Sequence, residues 1–273
     1  VLRRCAALLE AFGLLRLPDV KPPCSTRRAE YARFFFVLIR ATLIPVKTAH
    51  SPIIALFSHG GGMRGLVPAH MMTEIEARTG LSMADMVDVF CGPSTGAILN
   101  AALTLPHPDH PGRPKYRARH LVRFYEREGL SIFPPDRFRA FRGLLHDMNN
   151  RTMKITQLKS FFRHGHYSPA KLSQALKALY GDAMIGDSLK SLIIPTYGID
   201  GGTGGRSLWM ENILFQRNAP PKISLYDAVM ASCAAPTYFP CHYFKAQWPD
   251  ETEVREHAAI DGTVFDNPCT TYF

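Results

Sequence analysis

The sequence predicts an α/β protein, layered around a central and largely parallel sheet. Three observations carry that expectation. From residue 53 onward, short apolar runs bounded by Gly or Pro alternate with amphipathic helical segments. Two of the strand-to-helix transitions pass through turns of small residues, "SHGGGMRG" (58–65) and "CGPSTG" (91–96). Apolar residues make up 46% of the 273 and charged residues 20%, which suits a folded chain with a sizeable core and argues against disorder.

Each element follows from local pattern. Residues 1–15 place Leu2, Cys5, Leu8, Leu9, Phe12 and Leu15 at helical spacing before "LPDVKPP" breaks the chain. A second helix is expected over 28–44, with a basic start and an apolar body that packs on the following domain. The first strand is 53–57, and 66–79 is a helix with Pro68 in its first turn and Gly80 at its end. "MVDVFC" (86–91) reads as a short buried strand and 96–105 as a helix. The basic, proline-broken stretch 106–142 reads as loop plus irregular helix. Residues 168–181 form a helix capped by Ser168, started by Pro169 and stopped by Gly181. Strands follow at 191–199 and 207–215, then a helix over 224–235 opened by Ser224 and Asp227, and a short strand over 257–263.

The net charge is +9. Residues 1–50 and 113–142 each carry nine Lys/Arg against three Asp/Glu, so each is +6 and the rest of the chain is slightly acidic. Such segments suit an anionic partner (a membrane surface, nucleic acid or an acidic protein) or, equally, a solvated basic face without a ligand. The six cysteines form no C-x-x-C pair and no zinc-spaced cluster, and Cys91 and Cys233 sit in apolar runs as buried thiols. No disulfide framework is indicated, which favours a reducing compartment. No leader is visible, and no apolar stretch reaches the roughly eighteen residues that span a bilayer, "FFFVLIRATLIPV" being interrupted by Arg40. The expected location is cytoplasmic or at a membrane periphery.

The glycine loop bears two readings. Gly60, Gly62 and Gly65 stand in G-x-G-x-x-G register, which would cradle a pyrophosphate if an acidic residue ended the next strand. Asp88 is near that spacing but lies inside its strand. The second strand ends instead in Gly92-Pro93-Ser94-Thr95-Gly96, the G-x-S-x-G pattern of a strand, tight turn and helix with Ser at the tip. That turn lifts the Ser94 hydroxyl into the open and aims the Thr95 amide and the helix N-terminus at charge forming beside it. The glycine loop then reads as an oxyanion hole. The nucleophile needs a base, and two residues could serve: His257, as in an α/β-hydrolase, or Asp261 in "DGT". Each also has an ordinary structural reading, His257 as a polar residue at a strand entrance and Asp261 as a turn-forming Asp-Gly.

Four segments in order, "GGGMRG", "VDVFCGPSTGA", "MASCAAPTYFPCHYF" (230–244) and "DGTVFDNP" (261–268), resemble the signature blocks of patatin-like phospholipases. The resemblance runs from about residue 53 to the C-terminus. It implies a three-layer α/β/α patatin-like fold with added N-terminal helices, a basic helical segment over 1–50 and a catalytic domain over 51–273. It also implies a lipid acyl hydrolase of phospholipase A type. Ser94 would be the nucleophile, Asp261 the base, and the amides of Gly60, Gly61 and Gly62 the oxyanion hole. Arg64 matches the family's basic residue and would bind substrate. No cofactor, no metal and no nucleic acid is expected, and the partner is a lipid at a membrane or micelle surface. A non-catalytic lipid-binding module that has kept the fold is the reading from another class. His59 and the Thr of Asp-Gly-Thr depart from the family's usual residues, and relatives continue beyond the point where this chain stops. Phe133 and Phe138 are candidates for acyl-chain contact.

Overall fold

The computed structural model describes residues 53–133, 168–199, 205–214, 219–236 and 238–264, together with the backbone of 37–41. The chain forms two compact units, Val1–Phe34 and Phe35–Phe273, and every described residue belongs to the second. The expected helix over 1–15 therefore lies outside the described residues, as does most of the one over 28–44. Within the latter, Val37–Ala41 is a strand, β1, antiparallel to β2 (Ile53–Phe57). This corrects the helical expectation: the run of Phe, Val, Leu and Ile fits a buried strand as well as a helix, and pairing decides between them.

The chain continues through a 3-10 turn (Gly62–Gly65), α1 (Leu66–Thr79), α2 (Met83–Met86), β3 (Val89–Cys91) and α3 (Thr95–Thr104). Then come α4 (Ala118–Ile132), α5 (Pro169–Tyr180), β4 (Ser191–Gly198), β5 (Arg206–Asn212), α6 (Leu225–Ser232), β6 (His242–Ala246) and β7 (Arg255–Asp261). The seven strands make one sheet in the order β1-β2-β3-β4-β7-β6, with β5 on the other edge of β4. β2, β3 and β4 are parallel, and the remaining pairs are antiparallel. The α/β class holds, but the sheet is mixed, parallel at its centre and antiparallel on both flanks. β4 explains the change. Ser191–Ile193 pair with β3, and Thr196–Gly198 of the same edge pair with β7, so Pro195 sits at the changeover.

Alternation along the central strands buries both faces, the mark of a middle layer. Leu56, Phe90, Leu192 and Ile194 face the helical core, which holds Met72, Ile98, Leu99, Leu121, Leu176 and Val229. Ala55, Phe57, Val89, Cys91 and Ile193 form the opposite apolar face. Cys91 and Cys233 are buried thiols, as expected.

Two local expectations fail for local reasons. β3 begins at Val89 and not at Met86, because Ser82 and Asp85 form a capping box that starts the short helix α2. The stretch expected as irregular contains a regular 15-residue helix, α4. Its buried face is Ala118, Leu121, Val122, Tyr125, Gly129 and Ile132, a 3.6-residue period masked by the Arg and Glu residues that hold five of the nine remaining positions. Asp88 is not free for a ribose either, since its carboxylate accepts the Ile54 amide at 3.1 Å and ties β2 to β3.

Candidate active site

Ser94 stands between β3 and α3 with φ 54° and ψ −127°, and among the described residues it alone of the non-glycines has positive φ. Such a conformation costs about 1–3 kcal/mol and persists only where neighbours enforce it. The enforcement comes from β2. A Cβ on Gly92 or on Gly96 would lie 1.9 Å from the Ser58 carbonyl oxygen, so the end of β2 occupies the space that side chains there would need. The Ser58 amide donates to the Cys91 carbonyl at 2.9 Å, and its hydroxyl donates to Asn100 of α3 at 3.0 Å. The small residues two positions either side of the nucleophile are thus a steric requirement.

The glycine loop closes over this turn. A Cβ on Gly60 would meet the Ser94 Cβ at 2.9 Å, and Gly62 adopts φ +56°. The Thr95 hydroxyl donates to the Gly62 carbonyl at 2.9 Å, pinning the loop to the first turn of α3. Among the described residues, the amides of Gly60, Gly61, Gly62 and Thr95 have no hydrogen-bond acceptor. Unpaired donors beside a half-buried hydroxyl make a ready anion site. Arg64 sits in the adjacent turn with its side chain exposed, and His59 is half-buried, its imidazole held toward the neutral form by that burial.

Asp261 ends β7, pairs with Thr196 of β4 and is 1% exposed. Its amide donates to the Ala234 carbonyl at 3.0 Å. Its Oδ1 accepts the Thr263 amide at 2.9 Å and the Thr263 hydroxyl at 2.8 Å. The Ser94 side chain is close to the same carboxylate and favours its charged form, and Ser94 and Thr263 flank Gly60, whose Cβ would meet the two at 2.9 and 2.8 Å. Burial pushes the Asp261 pKa up and outweighs the bonds from Thr263 and the nearness of the Ser94 hydroxyl, which pull it down. A carboxylate more basic than usual, held against a hydroxyl, is suited to accept its proton.

His257 lies elsewhere. It is four residues back on β7, about 13 Å along the strand, with its ring stacked on Phe244 at 5.5 Å and edge-on to Trp248 at 4.7 Å. The structure thus brings Asp261 to Ser94 and leaves His257 among aromatic rings. Phe133 lies against the loop, 3.5 Å from where a Gly62 Cβ would be, and is edge-on to Phe239 at 6.2 Å. Beyond Phe239 is a cavity of about 90 Å³ whose lining includes Leu172, Met230 and Ala234. Phe138 lies outside the described residues.

Sequence reasoning missed the bond of the Thr95 hydroxyl to the glycine loop and the roles of Thr263 and Ser232. Ser232 is fully buried; its hydroxyl accepts the Ser94 amide at 3.0 Å and donates to the Pro195 carbonyl at 2.6 Å. It lies in the "MASCAAP" segment, where a Ser in an otherwise small, apolar run was the available signal.

Comparison with known proteins identifies the family. A family model described as "Patatin-like phospholipase" matches residues 56–273. The chain is 30% identical over 221 residues to "Patatin-like protein 2" of Arabidopsis thaliana, covering 76% of this chain and 48% of that protein. It is 29% identical over 234 residues to "Patatin-like protein 1" of Oryza sativa subsp. indica, covering 82% and 50%. With "Patatin-17" of Solanum cardiophyllum it shares 27% over 237 residues, covering 84% and 54%. The chain spans about half the length of the curated relatives it matches. With a match over most of its length, and with the mixed α/β sheet it requires, the chain belongs to the patatin-like phospholipase family.

Proposed function

We propose that the protein is a lipid acyl hydrolase that cleaves carboxylic esters of phospholipids or related lipids through Ser94 and Asp261. The observation that carries this reading is the buried Asp261 carboxylate, made more basic by burial and set beside the hydroxyl at the tip of the strained turn. Asp261 takes the proton of Ser94 as the serine oxygen attacks the ester carbonyl. The amides of Gly60, Gly61 and Gly62 donate to the oxyanion that forms, a contribution of about 3 kcal/mol per donor. Collapse of the tetrahedral intermediate releases the lysolipid or alcohol, protonated by Asp261, and leaves an acyl-enzyme. Water, deprotonated by the same carboxylate, then releases the fatty acid. In this reading the exposed Arg64 meets a headgroup phosphate, and the contacting rings of Phe133 and Phe239 offer an apolar wall to the acyl chain.

Residues 51–273 are then the catalytic domain and 1–50 a basic segment that contributes to attachment at a lipid surface. No helix among the described residues is long and apolar enough to cross a membrane, and peripheral contact fits the reading. A fluorophosphonate probe tests it: the protein is expected to label at Ser94, and Asp261→Asn to lose at least about 1,000-fold in ester hydrolysis. His257→Asn is expected to retain activity within a few-fold. Full activity in Asp261→Asn with loss in His257→Asn would reverse the assignment. A folded protein that neither labels nor hydrolyses mixed phospholipids would point to a binding module.

A further inference from the structure

Ser232, Cys233 and Ala234 close α6, and this short step touches both halves of the site. The Ser232 hydroxyl accepts the amide of Ser94 and donates to the carbonyl of Pro195, so one buried oxygen joins the strained turn to β4. Pro195 is where the edge of β4 passes from β3 to β7, and its carbonyl faces Gly262, whose Cβ would approach it to 2.3 Å. Two residues on, the Ala234 carbonyl accepts the amide of Asp261. The amide of Ser94 and the amide of Asp261 are therefore anchored on the same three residues.

We infer that Ser232 is a positioning residue, which sets the backbone of Ser94 and its spacing from Asp261 through the Ser94–Ser232–Pro195 hydrogen-bond chain. The inference rests on the reading of Ser94 as nucleophile. The hydroxyl is needed for its dual nature: wholly buried, it accepts from an amide and donates to a carbonyl, which Ala cannot do and the Thr hydroxyl can. Positioning acts on the reacting geometry and leaves lipid binding alone, since Ser232 is wholly buried and has no surface to offer a ligand.

The test compares the full chain with Ser232→Ala, Ser232→Thr and Thr104→Val. The last removes a buried hydroxyl that donates to carbonyls within α3, so it imposes a loss of buried bonding away from the site. Fluorophosphonate labelling rate, kcat and KM on a soluble ester, and the thermal unfolding midpoint are measured for each. Ser232→Ala is expected to lower the labelling rate and kcat by roughly 10- to 100-fold, as a misplaced reacting group does, with KM within about twofold. Ser232→Thr should restore most of the rate. Thr104→Val should match the stability loss of Ser232→Ala without the rate loss. If the parent labels and Ser232→Ala labels equally fast, or slows only in proportion to its unfolded fraction, the positioning role is overturned and the Ser94 reading stands. If the folded parent does not label, the Ser94 reading itself fails and the positioning role goes with it.

Discussion

Asp261 holds a carboxylate at 1% exposure, and the consequences for chemistry and for stability are opposite. Its raised pKa makes it a better base, but the base must be ionised, so activity is lost as pH falls through a midpoint above the ordinary Asp range. The Thr263 hydroxyl is one of the donors that hold this midpoint down. Thr263→Ala is therefore expected to move the acid limb of the pH–rate profile further up; a downward shift would contradict the assignment. For stability, the folded chain takes up a proton on Asp261 more readily than the unfolded chain. Between the ordinary Asp range and the raised value, stability therefore falls as pH rises, and above that window the buried charge is a standing cost. Asp261→Asn should accordingly unfold at a higher temperature than the parent at neutral pH while losing hydrolysis, and the gain should vanish in acid. A stability gain that coincides with lost function is the usual sign of a site held against its own folding preference.

At the scale of elements, helix ends and strand ends are joined by single polar atoms. Glu76 of α1 is buried, and its two carboxylate oxygens accept the amide of Met83 at the start of α2 (2.9 Å) and of Ala118 at the start of α4 (3.0 Å). Burial raises its pKa, with those two amides and the charges of Arg117 and Arg119 opposing. Glu76→Ala leaves two helix-initial donors buried without an acceptor and is expected to cost about 2–4 kcal/mol, measured by denaturant unfolding. The crossing of β2 over the serine turn is stricter still. Gly92→Ala or Gly96→Ala must displace the Ser58 backbone, at about 3 kcal/mol or more, and should abolish labelling. Gly80→Ala at the end of α1 has open space around it and only φ +75° to accommodate, so it should cost about 1 kcal/mol. Equal costs at the two places would mean that the close approach of β2 is not what the glycines serve.

Across the whole molecule, the +9 charge has a structural counterpart in α4. Arg119, Arg123 and Arg127 recur every four residues on its exposed side, opposite the face that packs into the core, and Leu130 near the end of the helix is 63% exposed. With about 1 kcal/mol per basic residue near an anionic surface, changing all three to Gln should weaken binding to phosphatidylserine vesicles by roughly 100-fold at low salt. Binding to neutral vesicles should not change. The strand–turn–helix around Ser94, the glycines that attend it and the caps of α1 and α5 were legible in the sequence. Each is a local steric demand, met by residues within a few positions of one another. The regular period of α4 was present too, but hidden by its charge. Local pattern alone left the base open between His257 and Asp261, both downstream at ends of one short strand, and the family resemblance pointed to Asp261. The sequence left open as well the antiparallel flanks of the sheet and the role of Ser232. Those depend on which distant segments meet: Ser94 and Ser232 are 138 residues apart, and Pro195 joins them only because β4 exchanges one partner for another at that residue. Local chemistry fixes what a segment can do, and only the packing of the sheet decides which carboxylate the serine faces.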